Sequence, residues 1–388
     1  MTTGDAEPAE GWRDRWSGSP EGVVVLDIGE QPPSDLFPWP TDPLPDPRYP
    51  LRMVLGSTSG LLQLEHDPTT PEEMVGVEPA ALVRQAEMCV ADAVTAGLIR
   101  PGTRVIHYPS PHGGSWHRQL EPFGLTDVQT GDADLIVDVH GMMHAPDQKR
   151  AFLERRDRLT DGGVLLFMIH NASAMVREGM WNTLKSGHFA YYTTPSLVRM
   201  GHEIGLTAIG AWSYSLYHHG TTMLAFAKAD GPLGNARATS VTELVRKETE
   251  LGVLQPARLR SALHTAFTHS ANTLRAYLDS AKVDGLTLAG YGAASRTAAL
   301  LTSAGVTVED LAMIADASPA KHGRTMPVSR IPIIAPHDLA ETRPDRVLLF
   351  ISDLLPEVRA ALPEIEASGG RWVIVDPVPT DVQPDRPR

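Results

Sequence analysis

Four histidines, His107, His112, His140 and His170, fall at the ends of apolar runs that read as strands, or in the loop just after one. In an open α/β sheet the carboxyl ends of strands meet at the ligand crevice. Imidazoles gathered there have two uses. Neutral rings can hold a divalent metal such as zinc or iron, with a nearby carboxylate such as Asp138 completing the set. Otherwise they are polar rings that fill space. No H-E-x-x-H or comparable local spacing decides between the two.

A second set lies near the end of the chain. The run Leu286–Ala289 leads into Gly290-Tyr291-Gly292-Ala293-Ala294-Ser295-Arg296 and a helical stretch from Thr297 to Ser303. A glycine turn between strand and helix lets backbone N–H groups approach an anion at the positive helix end. About twenty residues later Met313-Ile314-Ala315 ends on Asp316, as the second strand of a nucleotide-binding βαβ unit often does. The fingerprint is partial, because Arg296 and Thr297 stand where its third glycine would be. A plain βαβ with a tight turn fits the same residues. Arg296, Lys321 and Arg324 are phosphate partners on one reading and a solvated basic loop on the other. Asp316 accepts from a ligand hydroxyl or closes a turn.

The elements that must position these residues follow from pattern. Val23–Ile28 is a β-rich run, and the hairpin Leu51–Leu55 with Leu61–Leu64 turns through Gly56–Gly60. Between them, 32–50 is proline-rich and so extended. Pro79–Ala96 is an amphipathic helix with Cys89 on its apolar face. Strands are expected at Thr103–Tyr108, Asp134–His140, Val164–Ile169, Val347–Ser352 and Trp372–Val375, with a helical connector over 231–284. At 388 residues the chain holds two or three cores. The net charge of −13 argues against nucleic acid or an anionic membrane as partner. No apolar run approaches the ~20 residues of a membrane span, and the acidic start does not read as a signal peptide, so the cytoplasm is expected. A single cysteine excludes an internal disulfide and a cysteine-rich zinc site.

The segments GYGAASRTAALLTSAG, DASPAKHGRTMPVSRIPI and GGRWVIVDP resemble the C-terminal domain of the nucleotide-sugar C-methyltransferases, which methylate carbon next to a ketone on a deoxysugar. Gly290, Tyr291, Gly292, Ala293, Asp316, Ser318, Pro319, Lys321, Gly323, Arg324, Pro327, Ile331, Pro332 and Ile333 match that pattern. The resemblance implies a class I methyltransferase-like Rossmann domain over 76–230 and a connector over 231–285. It also implies a Rossmann-like substrate domain over 286–388 and a small N-terminal β module over 1–75. Gly290, Tyr291, Gly292, Arg296, Asp316, Lys321 and Arg324 then face a nucleoside-diphosphate sugar. In GHFAYY, His188 matches the histidine proposed in that family as general base. The family's neighbouring glutamate is Gly187 and its upstream tyrosine is Lys185. Tyr191, Tyr192 and His219 would orient substrate or donate a proton.

The departures carry equal weight. LDIGEQPP and YPLRMVLGSTSGLLQL resemble the family's zinc module, but its four cysteines fall on Gly56, Ser59 and near Asp14 and Ser17, so structural zinc is not expected. At the S-adenosylmethionine loop, the acid becomes His107 and prolines 109 and 111 replace early glycines; proline offers no N–H. Only about twenty residues separate Gly114 from Asp134, too few for the strand whose acid holds the cofactor ribose and the adenine loop. The expectation is therefore an enzyme of this lineage that has lost the methyl donor. It would use His188 for epimerisation, isomerisation or elimination on a carbonyl substrate, with a metal on the four histidines as a further option. The alternatives are a C-methyltransferase with an altered cofactor site and a non-catalytic binding protein.

Overall fold

The computed structural model describes residues 7–69, 78–109, 115–216, 220–236 and 238–383. Its strands form three sheets, of four, six and six strands. The first is antiparallel: β1 (Gly22–Gln31), β2 (Tyr49–Gly56) and β3 (Leu62–Leu64). Its fourth strand, β8 (Ala190–Tyr191), arrives from the middle of the chain and pairs with β3.

The four positions at which the resemblance places zinc thiolates are held together by hydrogen bonds. The carboxylate of buried Asp14 accepts from the N–H groups of Trp16 (2.8 Å) and Ser17 (2.9 Å) and from Ser59 Oγ (2.5 Å). Gly56 has no room for a side chain, because a Cβ there would lie 1.8 Å from Asp14 Oδ2. A carboxylate, rather than sulfur, thus ties the knuckle between β2 and β3.

The middle sheet has the order β5-β4-β6-β7-β10-β9, from β4 (Arg104–Tyr108), β5 (Thr126–Asp127), β6 (Ala133–Val139), β7 (Leu159–His170), β9 (Leu206–Tyr214) and β10 (Thr221–Lys228). The first four are mutually parallel and β10 is antiparallel to both neighbours. The central strands are continuous apolar runs because both faces are covered. Leu135, Val137, Leu166 and Met168 meet Ala86, Cys89 and Val90 of helix α1 (Ala80–Thr95) and Leu120 of the short helix α2 (His117–Leu120). On the other face Ile136, Leu165 and Phe167 meet Phe152 of α3 (Gln148–Asp157) and Leu197 and Met200 of α5 (Thr194–Glu203), the helix after α4 (Ala172–Glu178). Cys89 is fully buried and burial pushes its thiol up to about 12, so it is an inert core group.

The strand expected to be missing after β4 is present as a two-residue remnant. β5 pairs Asp127 with Val105, at the start of β4, and six residues later the chain is already in β6. Neither helix nor third strand intervenes among the described residues.

The connector is two helices, α6 (Thr239–Leu251) and α7 (Pro256–Val283). Buried Leu259, Leu263, Ser270, Leu274, Leu278 and Ala281 recur at three- and four-residue intervals on α7 and give it one apolar stripe. The helix packs on β1, on α4 of the middle lobe, and on the helix Ser295–Ser303 and the strand Pro379–Asp381 of the C-terminal lobe, so α7 bridges all three parts of the chain. No helix among the described residues is long and apolar enough to cross a membrane.

The third sheet runs β13-β12-β11-β14-β15-β16, from β11 (Leu288–Tyr291), β12 (Ile314–Ala315), β13 (Ile333–Ile334), β14 (Arg346–Leu349), β15 (Arg371–Val375) and β16 (Pro379–Asp381). All are parallel except β16. Helix α8 (Ser295–Ser303) follows β11. The proline-rich segment crosses to this lobe as a strap. Its carbonyls accept where prolines cannot donate: Phe37 O from Arg324 Nη1 (2.9 Å) and Pro38 O from Thr325 N (2.9 Å). Asp46 takes Arg330 Nη2 at 2.8 Å.

Candidate functional site

Both six-stranded sheets reverse direction of build at one point, between β4 and β6 and between β11 and β14. Such switch points open a crevice outside the carboxyl ends of the strands. Here the two crevices share one cleft of about 370 Å³. The middle lobe contributes His140, Met143, His144, Met168, His170, Lys185 and His188 to its wall. The C-terminal lobe contributes Ala294, Ser295 and Arg296 after β11, Ile351, Asp353 and Leu354 after β14, and Lys321. The N-terminal end of α1 roofs it with Leu82, Gln85 and Ala86, and the strap adds Asp35.

His188 is held by its neighbours' backbone. Gly187 takes φ +81 and gives its N–H to the Asp67 carboxylate at 2.5 Å. Phe189 N–H donates to Met143 O (2.8 Å) and its carbonyl accepts from Leu64 N–H (3.2 Å), so β3 and the turn after β6 fix the loop from both sides. His144 Nδ1 donates to Gly187 O at 2.9 Å, and its ring meets His188 edge-on, 4.7 Å between centroids at 85°. A carbonyl can only accept, so His144 carries its proton on Nδ1.

His140 sits just past β6 at φ +58, a left-handed conformation rare outside glycine. The turn is imposed by Asp138, fully buried, whose Oδ1 accepts from Gly141 N (2.9 Å) and Met142 N (3.1 Å) while Oδ2 takes Arg155 Nε (2.7 Å). His140 Nε2 is buried with no hydrogen-bond partner among the described residues, and burial lowers the ring's pKa to about 4. It is neutral at pH 7.

The structure does not assemble the expected histidine metal set. His140 and His170 line the cleft, but His107 lies in a separate hollow beside His117 and Asp127. Among the described residues, no three of the cleft imidazoles bring ring nitrogens within 4.8 Å of one another. Asp138, the carboxylate offered to complete the set, is committed to Arg155 and two backbone amides. His112 and His219 lie outside the described residues.

The tyrosines expected to assist His188 face elsewhere. Tyr192 is buried against Phe152 and Phe167, and its hydroxyl donates to Gln148 Oε1. The Tyr191 hydroxyl accepts from Lys185 N–H at 2.9 Å, and burial raises its pKa. Neither lines the cleft; Tyr191 stands 6.2 Å from the His188 ring and packs the loop that carries it.

In the C-terminal lobe the glycine-turn residues divide. Arg296 and Lys321 face the cleft. Gly290 and Gly292 serve packing instead: a Cβ would lie 2.8 Å from Ile314 and from Ile351 respectively, and Gly292 has φ +101. Tyr291 is buried edge-on to Trp372 and its pKa is pushed up to about 12 by burial. Asp316 is not open to a ligand, because its carboxylate accepts from Ala293 N (2.8 Å) and Ser318 N (2.9 Å) and lies 3.4 Å from Lys321 Nζ. Arg324 grips the strap, its guanidinium 4.6 Å above the Trp39 ring. Ser295, Lys185, Asp35 and Asp353 are cleft residues that sequence reasoning passed over. Ser295 could have been found, since it ends the glycine turn. Asp35 carries no local signal, because only the strap's path brings it to Ser295 Oγ (2.8 Å).

At the donor end, β4 and β5 present no carboxylate to the cleft. β4 ends on Tyr108, and Asp127 is level with Val105, three residues and so about 10 Å below that edge.

Residues 217–379 match a family described as the C-methyltransferase C-terminal domain, and residues 55–210 a methyltransferase domain family. C-methyltransferase NovU of Streptomyces niveus is 25% identical over 249 residues, 64% of this chain and 58% of NovU. The match therefore spans under two thirds of that curated relative's length. Among solved structures, magnesium protoporphyrin IX methyltransferase (ChlM) from Synechocystis PCC 6803 aligns at a TM-score of 0.30 and 8% identity, over 38% of this chain and 84% of that one. A possible histamine N-methyltransferase from Thermotoga maritima aligns at 0.28 and 14%, over 38% and 91%. Both lobes thus resemble methyltransferases, the C-terminal one the C-methyltransferase C-terminal domain in particular.

Proposed function

We propose that the cleft performs proton-transfer chemistry on a carbonyl compound, a keto-sugar carried by a nucleoside diphosphate, with His188 as base and without a methyl donor. One observation carries the reading: His188 shares the cleft wall with Arg296, Lys321 and Ser295 of the opposite lobe. A bipartite ligand fits that layout, its anionic part held by the C-terminal lobe and its carbonyl part beside the imidazole. A neutral histidine at a ketone can take the acidic proton from the neighbouring carbon. The enolate then regains a proton, on the same or the other face, or expels a group on the next carbon.

The residues present do not fit S-adenosylmethionine. At β4 the expected carboxylate is an imidazole turned into a separate hollow, and at β5 the carboxylate, Asp127, is set back from the cleft. No step is assigned to the donor. A second reading, C-methylation, is favoured by the match of residues 55–210 to a methyltransferase domain. It uses the same proton abstraction and differs only in what captures the carbanion.

Deuterium wash-in tests the base, and titration with the methyl donor separates the readings. With a nucleoside-diphosphate 4-keto-6-deoxysugar in D2O, exchange at the carbon next to the ketone is expected from the protein alone. His188→Ala should slow it by 10²-fold or more, within the range of a lost general base. Calorimetric titration with S-adenosylmethionine should show no binding. Micromolar donor binding would return the protein to methylation, and unchanged exchange in the variant would refute the base assignment.

A further inference from the structure

Outside the cleft, one group of side chains among the described residues has the composition of a metal centre. It lies where the sheet edge is thinnest, at the junction of β4, the two-residue β5 and α2. His107 Nε2 is 3.5 Å from Asp127 Oδ1, and the His117 ring lies 3.8 Å from the His107 ring at 38°. One donor atom from each of the three falls within 4.8 Å of the others. They rim a hollow of about 320 Å³ whose lining also includes Val105, Leu120, Leu125, Arg118 and Glu121. None of its residues lines the cleft, so this is a site apart from the proposed chemistry.

We propose that His107, His117 and Asp127 bind one zinc-like divalent ion that pins β5 and α2 to the edge of the sheet. Imidazole nitrogen and carboxylate oxygen are the ligands such an ion takes, at about 2.0–2.2 Å, which sets ligand atoms roughly 3.3 Å apart around a tetrahedral centre. The His107–Asp127 pair already has that spacing. His117 is exposed, and its donor atom lies within 4.8 Å of the other two. His107 is mostly buried, so its ring is held in place beside the other two groups. Three ligands from three consecutive elements would replace the crosslinks that a full strand and helix make elsewhere in the sheet.

The test uses the full chain, stripped with chelator and titrated with Co2+. Visible d–d absorption reports four-coordinate binding, and melting temperature is read on the same samples. One equivalent should bind and raise the melting temperature. His117→Ala and Asp127→Asn, both at exposed positions and so safe for folding, should each weaken binding at least tenfold and abolish the thermal shift. His337→Ala, at an exposed histidine elsewhere, should change neither. Equal binding by wild type and the His117→Ala/Asp127→Asn double variant would overturn the proposal. So would an absence of Co2+ binding at 100-fold molar excess, or binding lost instead in His140→Ala, which would place the ion in the cleft.

Discussion

Asp14→Ala should unfasten the N-terminal knuckle. The carboxylate is 2% exposed and accepts three hydrogen bonds, from Trp16 N, Ser17 N and Ser59 Oγ. Removing it leaves the Trp16 amide and the Ser59 hydroxyl buried without an acceptor, each costing about 1–3 kcal/mol. Ser17 N is only partly buried and can turn to water, so the sum is about 2–6 kcal/mol. Asp14→Asn keeps one oxygen for the two amides and offers an NH2 that the Ser59 oxygen can accept, so its cost should be about 1 kcal/mol. Urea unfolding followed by tryptophan fluorescence gives the global figure, and Trp12 and Trp16 sit in the affected module. Hydrogen exchange gives the local one: the amides of Trp16, Ser17 and Leu61, the last bonded to Ser59 Oγ at 3.0 Å, should lose protection together. A cost below 1 kcal/mol for Asp14→Ala, or loss of protection confined to one amide, would refute the idea that a carboxylate has taken over the work of a metal.

Two further outcomes follow from the cleft. Burial depresses His140, so as pH falls below 6.5 the unfolded chain takes up that proton first, and stability is lost down to about pH 4. At 1.36 kcal/mol per unit the ceiling is about 3 kcal/mol, and the partly open ring should bring it to about 2. Urea midpoints at pH 7 and 4.5 should therefore differ less in His140→Gln than in wild type; equal differences would exclude the residue. Gly292→Ala should cost about 1–3 kcal/mol, from its φ of +101 and the contact with Ile351. It should also weaken nucleoside-diphosphate binding by displacing Ser295 and Arg296, whereas unchanged affinity in a folded variant would detach that turn from ligand binding.

What the sequence made legible is what local pattern controls. β6, β7 and β11 were found as apolar runs because both faces are buried, and α1 because its buried residues recur at helical spacing. The resemblance placed His188, Arg296 and Lys321 in one cleft. What was not legible depends on partners far away in the chain. Asp316 and Arg324 have the right types for ligands, yet their hydrogen bonds are taken by Ala293, Ser318 and Phe37, and nothing local announces those partners. Tyr191 and Tyr192 likewise spend their hydroxyls on Lys185 and Gln148. The four histidines were grouped by strand-end position, but side-chain direction alternates along a strand, and His107 points with Val105 into the outer hollow.

The strap and β8 bear on how the chain is made. During synthesis β3 is left with an unpaired edge until Ala190–Tyr191 emerges, more than a hundred residues later. Unpaired edges invite association with other chains. The proline-rich segment waits longer still, since Arg324, Thr325 and Arg330 lie more than 280 residues further along the chain. The strap thus finds its partners only after β11 and β12 have been made. Nascent chains stalled before about residue 330 should be protease-sensitive in 32–48, and fragments ending at the connector should need a holding chaperone that the whole protein can do without.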